Sequence, residues 1–205
     1  MKTNNRTRQN GHSLVEVLIT LLLILIVASM AIPNSATAIA NIKLRGAASD
    51  FAGLVQQARI TAVQGNKTYT ILFGLPSGNG AYIDLNGNGS FDSVLSTPVA
   101  GLSTEPMIQF GGSANHVAAP SGTGAPTKLD ASGGPLGWTA TAGNISFNSR
   151  GLPCNSSATP CGSNVNYIFY FRDTRSFGSS GWAAVSVTAA ARAKVWVWNG
   201  SSWTN

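Results

Sequence analysis

Gly11-His12-Ser13-Leu14-Val15-Glu16 opens the stretch that decides how this chain reads. Behind it, Val17 to Ile32 is apolar and is broken only by Thr20 and Ser29. With Leu14 and Val15 the run is long enough to cross most or all of a bilayer as a helix, because the hydrocarbon core is about 30 Å thick and a helix rises about 1.5 Å per residue. One acid sits near its start. At the bilayer centre a carboxylate costs roughly 2.5–3.5 kcal/mol, so an acid within a membrane helix asks for a partner. Glu16 therefore has two readings. It lies at the membrane surface, in a first helical turn whose dipole favours an anion, or it is carried inward to meet a cation.

Ahead of the run, Met1 to Gly11 is polar and carries Lys2, Arg6 and Arg8 with no acid. That is the charge pattern of a signal-peptide n-region. No small-residue cleavage site follows the run; Gly11 precedes it instead. Cutting after Gly11 would leave a free amine on His12, with Glu16 the fifth residue of the new chain. Taken with Pro33 just past the greasiest part, this arrangement resembles a type IV prepilin or pseudopilin. The resemblance implies that a prepilin peptidase cuts after Gly11 and methylates the His12 amine. It also implies a single-pass anchor in the inner membrane, a periplasmic C-terminal domain, and later assembly with other pilins into a filament through an inner-membrane platform. One residue departs from the pattern. The family usually has Phe where this chain has His12, which bears on methylation more than on cleavage.

The expected organisation is a leader at 1–11, a transmembrane helix half at 12–33, an amphipathic helix half at 34–65 and a β-rich globular domain at 66–205. Charged residues make up 10% of the 205-residue chain, well under the usual quarter, and Gly is abundant at 23. The net charge is +6, and the leader supplies half of it. Cys154 and Cys161 are the two cysteines, in Pro-Cys-Asn-Ser-Ser-Ala-Thr-Pro-Cys. A translocated domain meets an oxidising compartment, so they are expected to bond to each other. The alternative is two free thiols. Two thiols alone are too few ligands for a structural metal.

The helix should not stop at the membrane. Pro33 removes a backbone donor and predicts a kink rather than an end, since periodicity resumes. Ile39, Ile42, Ala47, Phe51, Leu54, Val55, Ala58 and Ala62 recur at three- and four-residue spacing and predict an apolar stripe. Gly65-Asn66 reads as its stop. The segment from Asp50 to Lys67, with Leu54, Gln56, Ala58-Arg59 and Ala62, resembles the helix end of GspH/FimT-type minor pilins. Strands are expected over 67–73, 81–85, 107–110, 144–149, 166–172, 181–188 and 194–198, with a Pro-Ser-Gly-Asn-Gly turn joining the first two. Residues 111–143 read as a long loop and 173–180 as a turn. The fold class is α+β: a long N-terminal spine helix packed on an antiparallel β-sheet C-terminal domain, pilin-like as the resemblance implies.

Chemistry-bearing motifs are sparse. Asp84-Leu-Asn-Gly-Asn-Gly-Ser-Phe-Asp92 places Asp84, Asn86, Asn88 and Asp92 at the first, third, fifth and ninth positions of a calcium loop. Leu95 stands where the bidentate acid belongs, so the same residues serve equally as a Gly/Asn-rich turn, and any calcium would be held weakly. No other cofactor is expected. No phosphate loop, nucleophile elbow or paired acids are present, and an enzyme is not expected. Near the C-terminus Arg192 and Lys194 alternate, with Trp196 and Trp198 continuing the pattern. Basic groups beside aromatics suit phosphate contact and base stacking. The resemblance adds that FimT-like proteins of competence systems use a Gly-Arg-x-Arg motif for DNA near this place. Here the residues are Ala191-Arg192-Ala193-Lys194, so the Gly and the second Arg differ. Two functions follow. One is a minor pilin or pseudopilin subunit, near the tip of a type II secretion pseudopilus or a type IV pilus, with Glu16 pairing the His12 amine of a neighbour. The other is a DNA-binding pilus component for DNA uptake that uses Arg192 and Lys194.

Overall fold

The computed structural model describes the backbone of residues 13–75, 78–92, 97–98, 108–110, 138–140, 144–154, 166–175 and 181–205; side chains at 30–35, 74–79, 97–98, 109–110 and 138–140 lie outside the description. One helix, α1, runs over Leu14–Gly65. It begins after Ser13, whose carbonyl accepts the N–H of Glu16 at 3.0 Å and of Val17 at 3.2 Å. Helical backbone continues through Pro33. The kink expected there falls among side chains outside the description. At the other end Asn66 takes φ +46°. Its N–H reaches Val63 O and the Lys67 N–H reaches Ala62 O, both at 3.3 Å. This pair of bonds is the Schellman closure, with Asn in the left-handed position that Gly or Asn can hold.

The chain divides into two compact units, Met1–Ile39 and Ala40–Asn205. In the first, every large apolar side chain from Leu14 to Val27 is exposed, from 47% at Val17 to 79% at Leu14. Among the described residues no helix is long and apolar enough to cross a membrane. The described side chains of the run stop at Ser29, at a length of about 24 Å by helical rise. Its expected continuation to Ile32 lies beyond them.

The second unit is α+β. The strands are β1 (Tyr69–Leu75), β2 (Gly78–Asp84), β3 (Thr97–Pro98), β4 (Ile108–Phe110), β5 (Trp138–Ala140), β6 (Ile145–Phe147), β7 (Pro153–Cys154), β8 (Asn166–Asp173), β9 (Trp182–Val187), β10 (Ala193–Trp198) and β11 (Trp203–Thr204). They form two sheets, in the orders β3-β2-β1-β6-β7 and β11-β10-β9-β8-β4, with β5 also on β8. Every described pairing is antiparallel except β5 with β8. The expected hairpin is β1–β2, in register Ile71↔Ile83, with a bulge between Phe73 and Leu75. Its turn is shorter than expected, because β2 already starts at Gly78. Trp138–Ala140 pairs as a strand inside the segment read as a loop.

The helix supplies the middle of the core. Ala40, Leu44, Ala47, Ala48, Phe51, Leu54, Val55, Ala58 and Ala62 are buried. The stripe is therefore out of phase with the expected one at its start: Ile39 and Ile42 are exposed, at 53% and 71%. At 3.6 residues per turn, Leu44 lies two turns before Phe51 on the same face, while Ile42 falls half a turn away. Phe51 stacks 5.6 Å from Phe73 of the first sheet and tilts 4.9 and 5.6 Å from Phe169 and Phe171 of the second. Phe73 and Phe169 meet at 5.7 Å and close the two sheets under the helix. The β6–β7 turn also presses on the helix. Gly151 has φ +73°, and a Cβ there would sit 2.9 Å from both Arg59 Cγ and Val63 Cγ2.

Candidate functional site

Three regions carry the candidate residues. The first is the start of α1. Glu16 is the acid of its first turn and is exposed. There the partial positive charge of the helix end favours a carboxylate. Ser13-Leu-Val-Glu16 has the Ser-x-x-Glu spacing of a capping box, a signal the apolar reading of this stretch passed over. Gly11 and His12 lie outside the described residues, so no geometry joins the proposed new amine to Glu16.

The second region is the loop after β2. Asp84 is buried. Its Oδ1 accepts the Gly87 N–H and its Oδ2 the Gly89 N–H, each at 2.8 Å. Asn86 Oδ1 accepts the Asn88 N–H at 3.2 Å and Asn88 Oδ1 the Ser90 N–H at 2.8 Å. Gly87 and Gly89 hold φ of +73° and +74°, which residues with a Cβ rarely adopt. The side-chain oxygens proposed as ligands thus fold the loop on themselves. Among the described residues no group of three or more His, Cys, Asp or Glu is placed to hold a metal. Phe91 lies edge-on to Tyr82 at 5.2 Å. Burial first, and then the Asp84 charge, raise the Tyr82 phenol above its ordinary pKa.

The third region is the face of the second sheet turned away from α1. Alternation sends Tyr167, Phe169 and Phe171 into the main core, and Ile168 and Tyr170 to a small outer cluster with Ala184. Trp182, Trp196 and Trp203 pack on that cluster, half-buried. Lys194 and Trp196 share this face, as their alternation predicts. The Lys194 Nζ stands 4.0 Å from the centre of the Trp196 ring. The Trp196 Nε1–H donates to Ser186 Oγ across the β9–β10 ladder at 2.9 Å. Arg172, not singled out from sequence, stands 5.4 Å over the Trp182 ring. Arg192 is exposed just before β10, in the β9–β10 turn. Arg175 is engaged elsewhere, forking onto the buried Asp173 at 2.6–3.2 Å.

The same turn holds Ala191, which stands where the resemblance expects Gly. Ala191 is buried and holds φ +59°. Position 191 thus has the left-handed backbone that Gly would take without strain, although Ala occupies it. Gln56 of α1 fixes it there, its Nε2 donating to Ala191 O at 3.2 Å. Trp198 does not lie open beside Trp196; it is buried, 5.5 Å from the Trp203 ring.

Cys154 is buried and disulfide-bonded, and no cysteine is free among the described residues. Its sulfur lies 3.5 Å from Ser146 O, a packing contact, because a bonded sulfur has no proton to donate. Cys161 is the other cysteine of the chain and lies outside the described residues.

Comparison with known proteins adds one specific match. Residues 6–32 match the family described as the prokaryotic N-terminal methylation motif. No curated protein matches the chain. Two crystal structures of the type IV minor pilin FimU from Pseudomonas aeruginosa are similar in outline. One, in space group P21, is 14% identical and has a TM-score of 0.45 over 79% of this chain and 92% of its own. The other, in space group P65, is 16% identical with a TM-score of 0.46 over 79% of this chain and 98% of its own. At those scores the family reading rests on the N-terminal motif.

Proposed function

We propose that this chain, whose residues 6–32 match the prokaryotic N-terminal methylation motif, is a minor pilin or pseudopilin subunit. The observation that carries the reading is that motif, set at the start of an apolar helix whose side chains have no cover within their own unit. Twelve exposed large apolar side chains between Leu14 and Val27 cannot stay in water; a bilayer and then the helices of neighbouring subunits are the surroundings that would bury them. In this reading the prepilin peptidase cuts after Gly11 and modifies the His12 amine. The helix anchors the chain in the inner membrane with the Ala40–Asn205 unit in the periplasm. Assembly then follows on the inner-membrane platform, with the subunit at or near the tip of a type II secretion pseudopilus or a type IV pilus. Glu16 would meet the amine of a neighbouring subunit, which neutralises both charges in apolar surroundings. No catalytic role is assigned to any residue. Intact-mass analysis of the membrane-extracted protein tests the reading. A chain beginning at His12 in cells with an active peptidase, and at Met1 in cells without it, supports it; retention of Met1–Gly11 in both overturns it.

A second reading is supported by the outer sheet face, where Lys194 and Arg172 stand over indole rings and Arg192 is exposed close by. These groups suit a single strand of DNA, with phosphates on the cations and bases on the tryptophans. A gel shift with the full chain in detergent micelles, at graded salt, tests it. Loss of the shift in Arg192→Ala and Lys194→Ala supports the reading, and no shift at low salt sinks it. Calcium is a third, weaker proposal. Asp84, Asn86, Asn88 and Asp92 are the residues that would hold the ion; the oxygens of Asp84, Asn86 and Asn88 already accept loop amides and would share their remaining lone pairs with it.

A further inference from the structure

Among the described residues the second sheet ends, at β10, in an edge that β11 covers only in part. The Thr188 N–H donates to Arg192 O at 3.0 Å. In an antiparallel ladder that bond sets the alternation for the strand that follows. With the register Lys194↔Ser186 and Trp196↔Ala184, the amides of Lys194 and Trp196 turn toward β9. Those of Ala193 and Val195 turn the other way. On that side β11 pairs only with Val197 and Trp198. The N–H and C=O of Ala193 and Val195 thus face no strand among the described residues. A lysine often blunts such an edge. Here Lys194 is drawn onto the Trp196 ring, on the face of the sheet and away from its rim.

A groove of about 340 Å³ adjoins the same edge, between Asn41, Ile42 and Arg45 of α1 and Val197, Trp198 and Thr204. Ile42 stands 71% exposed at its mouth. Trp198, 6% exposed, lines it, and the Trp198 Nε1 has no hydrogen-bond partner among the described residues. The segments that line the edge and groove are basic: Arg45, Arg192 and Lys194 belong to them, 187–205 contains no acid, and the first acid on the helix after Ile42 is Asp50, two turns on.

We infer that this edge and groove dock an extended acidic peptide segment of a partner protein, which adds a strand beside β10. The backbone groups of Ala193 and Val195, which face no strand among the described residues, ask for alternating donors and acceptors. A peptide strand supplies both, and a nucleic-acid backbone supplies no such donors. Alternate side chains of the incoming strand then face opposite ways. One set lies against Ile42 and Val197, so it is apolar. The other lies toward Arg192 and Lys194, so it is acidic. The inference does not depend on filament assembly.

Amide exchange in the full chain, isotope-labelled and held in detergent micelles, tests it. The probe is acetyl-Val-Asp-Val-Asp-Val-amide, with two controls: the same peptide with Asn for Asp, and one methylated on the backbone nitrogens that would face β10. Docking slows exchange at Ala193 and Val195 by at least about tenfold at saturation, a factor worth about 1.4 kcal/mol. The Asn peptide binds more weakly and the methylated peptide not at all. Val195→Pro removes only an edge donor, so it loses binding while Lys194 and Trp196 keep their protection. Should that variant misfold, the methylated peptide on the unaltered chain decides. Unchanged exchange at Ala193 and Val195 up to millimolar peptide overturns the inference. So does equal binding of the methylated peptide, or protection of these two amides by an oligothymidine strand and not by the peptide.

Discussion

Replacing Phe51 with alanine should cost the Ala40–Asn205 unit about 3–5 kcal/mol, the range for emptying a fully buried aromatic site. The ring is wholly buried and touches Phe73, Phe169 and Phe171 at 4.9–5.6 Å between centres. Those neighbours belong to two different sheets, and Phe51 itself to the helix. No single element can move to close the hole without opening another contact, which places the cost toward the upper part of that range. A domain of this size is stable by roughly 5–15 kcal/mol, so the loss is a large fraction of the whole. At about 2–4 °C per kcal/mol the melting temperature should fall by roughly 6–20 °C. The assay is thermal unfolding of the full chain in detergent micelles, followed by tryptophan fluorescence. Phe91→Ala is the control: Phe91 is half-buried and meets one ring edge-on, and its loss should cost markedly less. A Phe51→Ala variant within about 1 kcal/mol of the parent would refute the reasoning, since it would fall below the range for such sites.

Three further outcomes are expected. Gly151→Ala should destabilise by about 1–3 kcal/mol, from a left-handed backbone that Ala strains and a Cβ driven against Arg59 and Val63; equal denaturation midpoints would contradict the close approach. Cys154 and Cys161 should map to one bonded peptide pair without reduction, and reduction should lower stability by about 2.5 kcal/mol on the chain-entropy estimate; finding both cysteines alkylated without reduction rejects the pairing. Burial raises the Tyr82 and Tyr167 phenols above 10.0, so the unfolded chain loses these protons first. Stability is therefore full below about pH 10 and declines as pH rises through the folded values; Tyr82→Phe with Tyr167→Phe should flatten that decline in alkaline denaturation curves, and an unchanged slope counts against it.

The parts legible in the sequence were those with a period or a stop. The helix core from Ala47 to Ala62, its end at Gly65-Asn66, the β1–β2 hairpin and the shared face of Lys194 and Trp196 all follow from spacing. The helix stripe slipped at its start: Ile39 and Ile42 are exposed, while the phase set by Phe51 buries Ala40 and Leu44. The strands β3, β5, β7 and β11 have two or three residues each, too few to show an alternation. Contacts distant in sequence were not legible at all. The bond from Gln56 to Ala191 joins residues 135 apart, and the place of Arg172 over Trp182 depends on the β8–β9 register. The calcium-like loop reads two ways from its residues, and the bonds of Asp84, Asn86 and Asn88 to loop amides are compatible with both.

The most direct test of filament assembly is the recovery of Glu16→Ala in sheared filaments. The substitution leaves the helix apolar and raises its intrinsic helix propensity. The variant should therefore insert, be cut after Gly11 and keep its folded Ala40–Asn205 unit, yet be absent or strongly depleted from filaments that contain the other pilins. Glu16→Gln should behave more like the alanine variant than like the parent, because the pairing needs charge. Recovery of Glu16→Ala at the parent's level would contradict the pairing and leave Glu16 as a surface acid serving only the first turn of its helix.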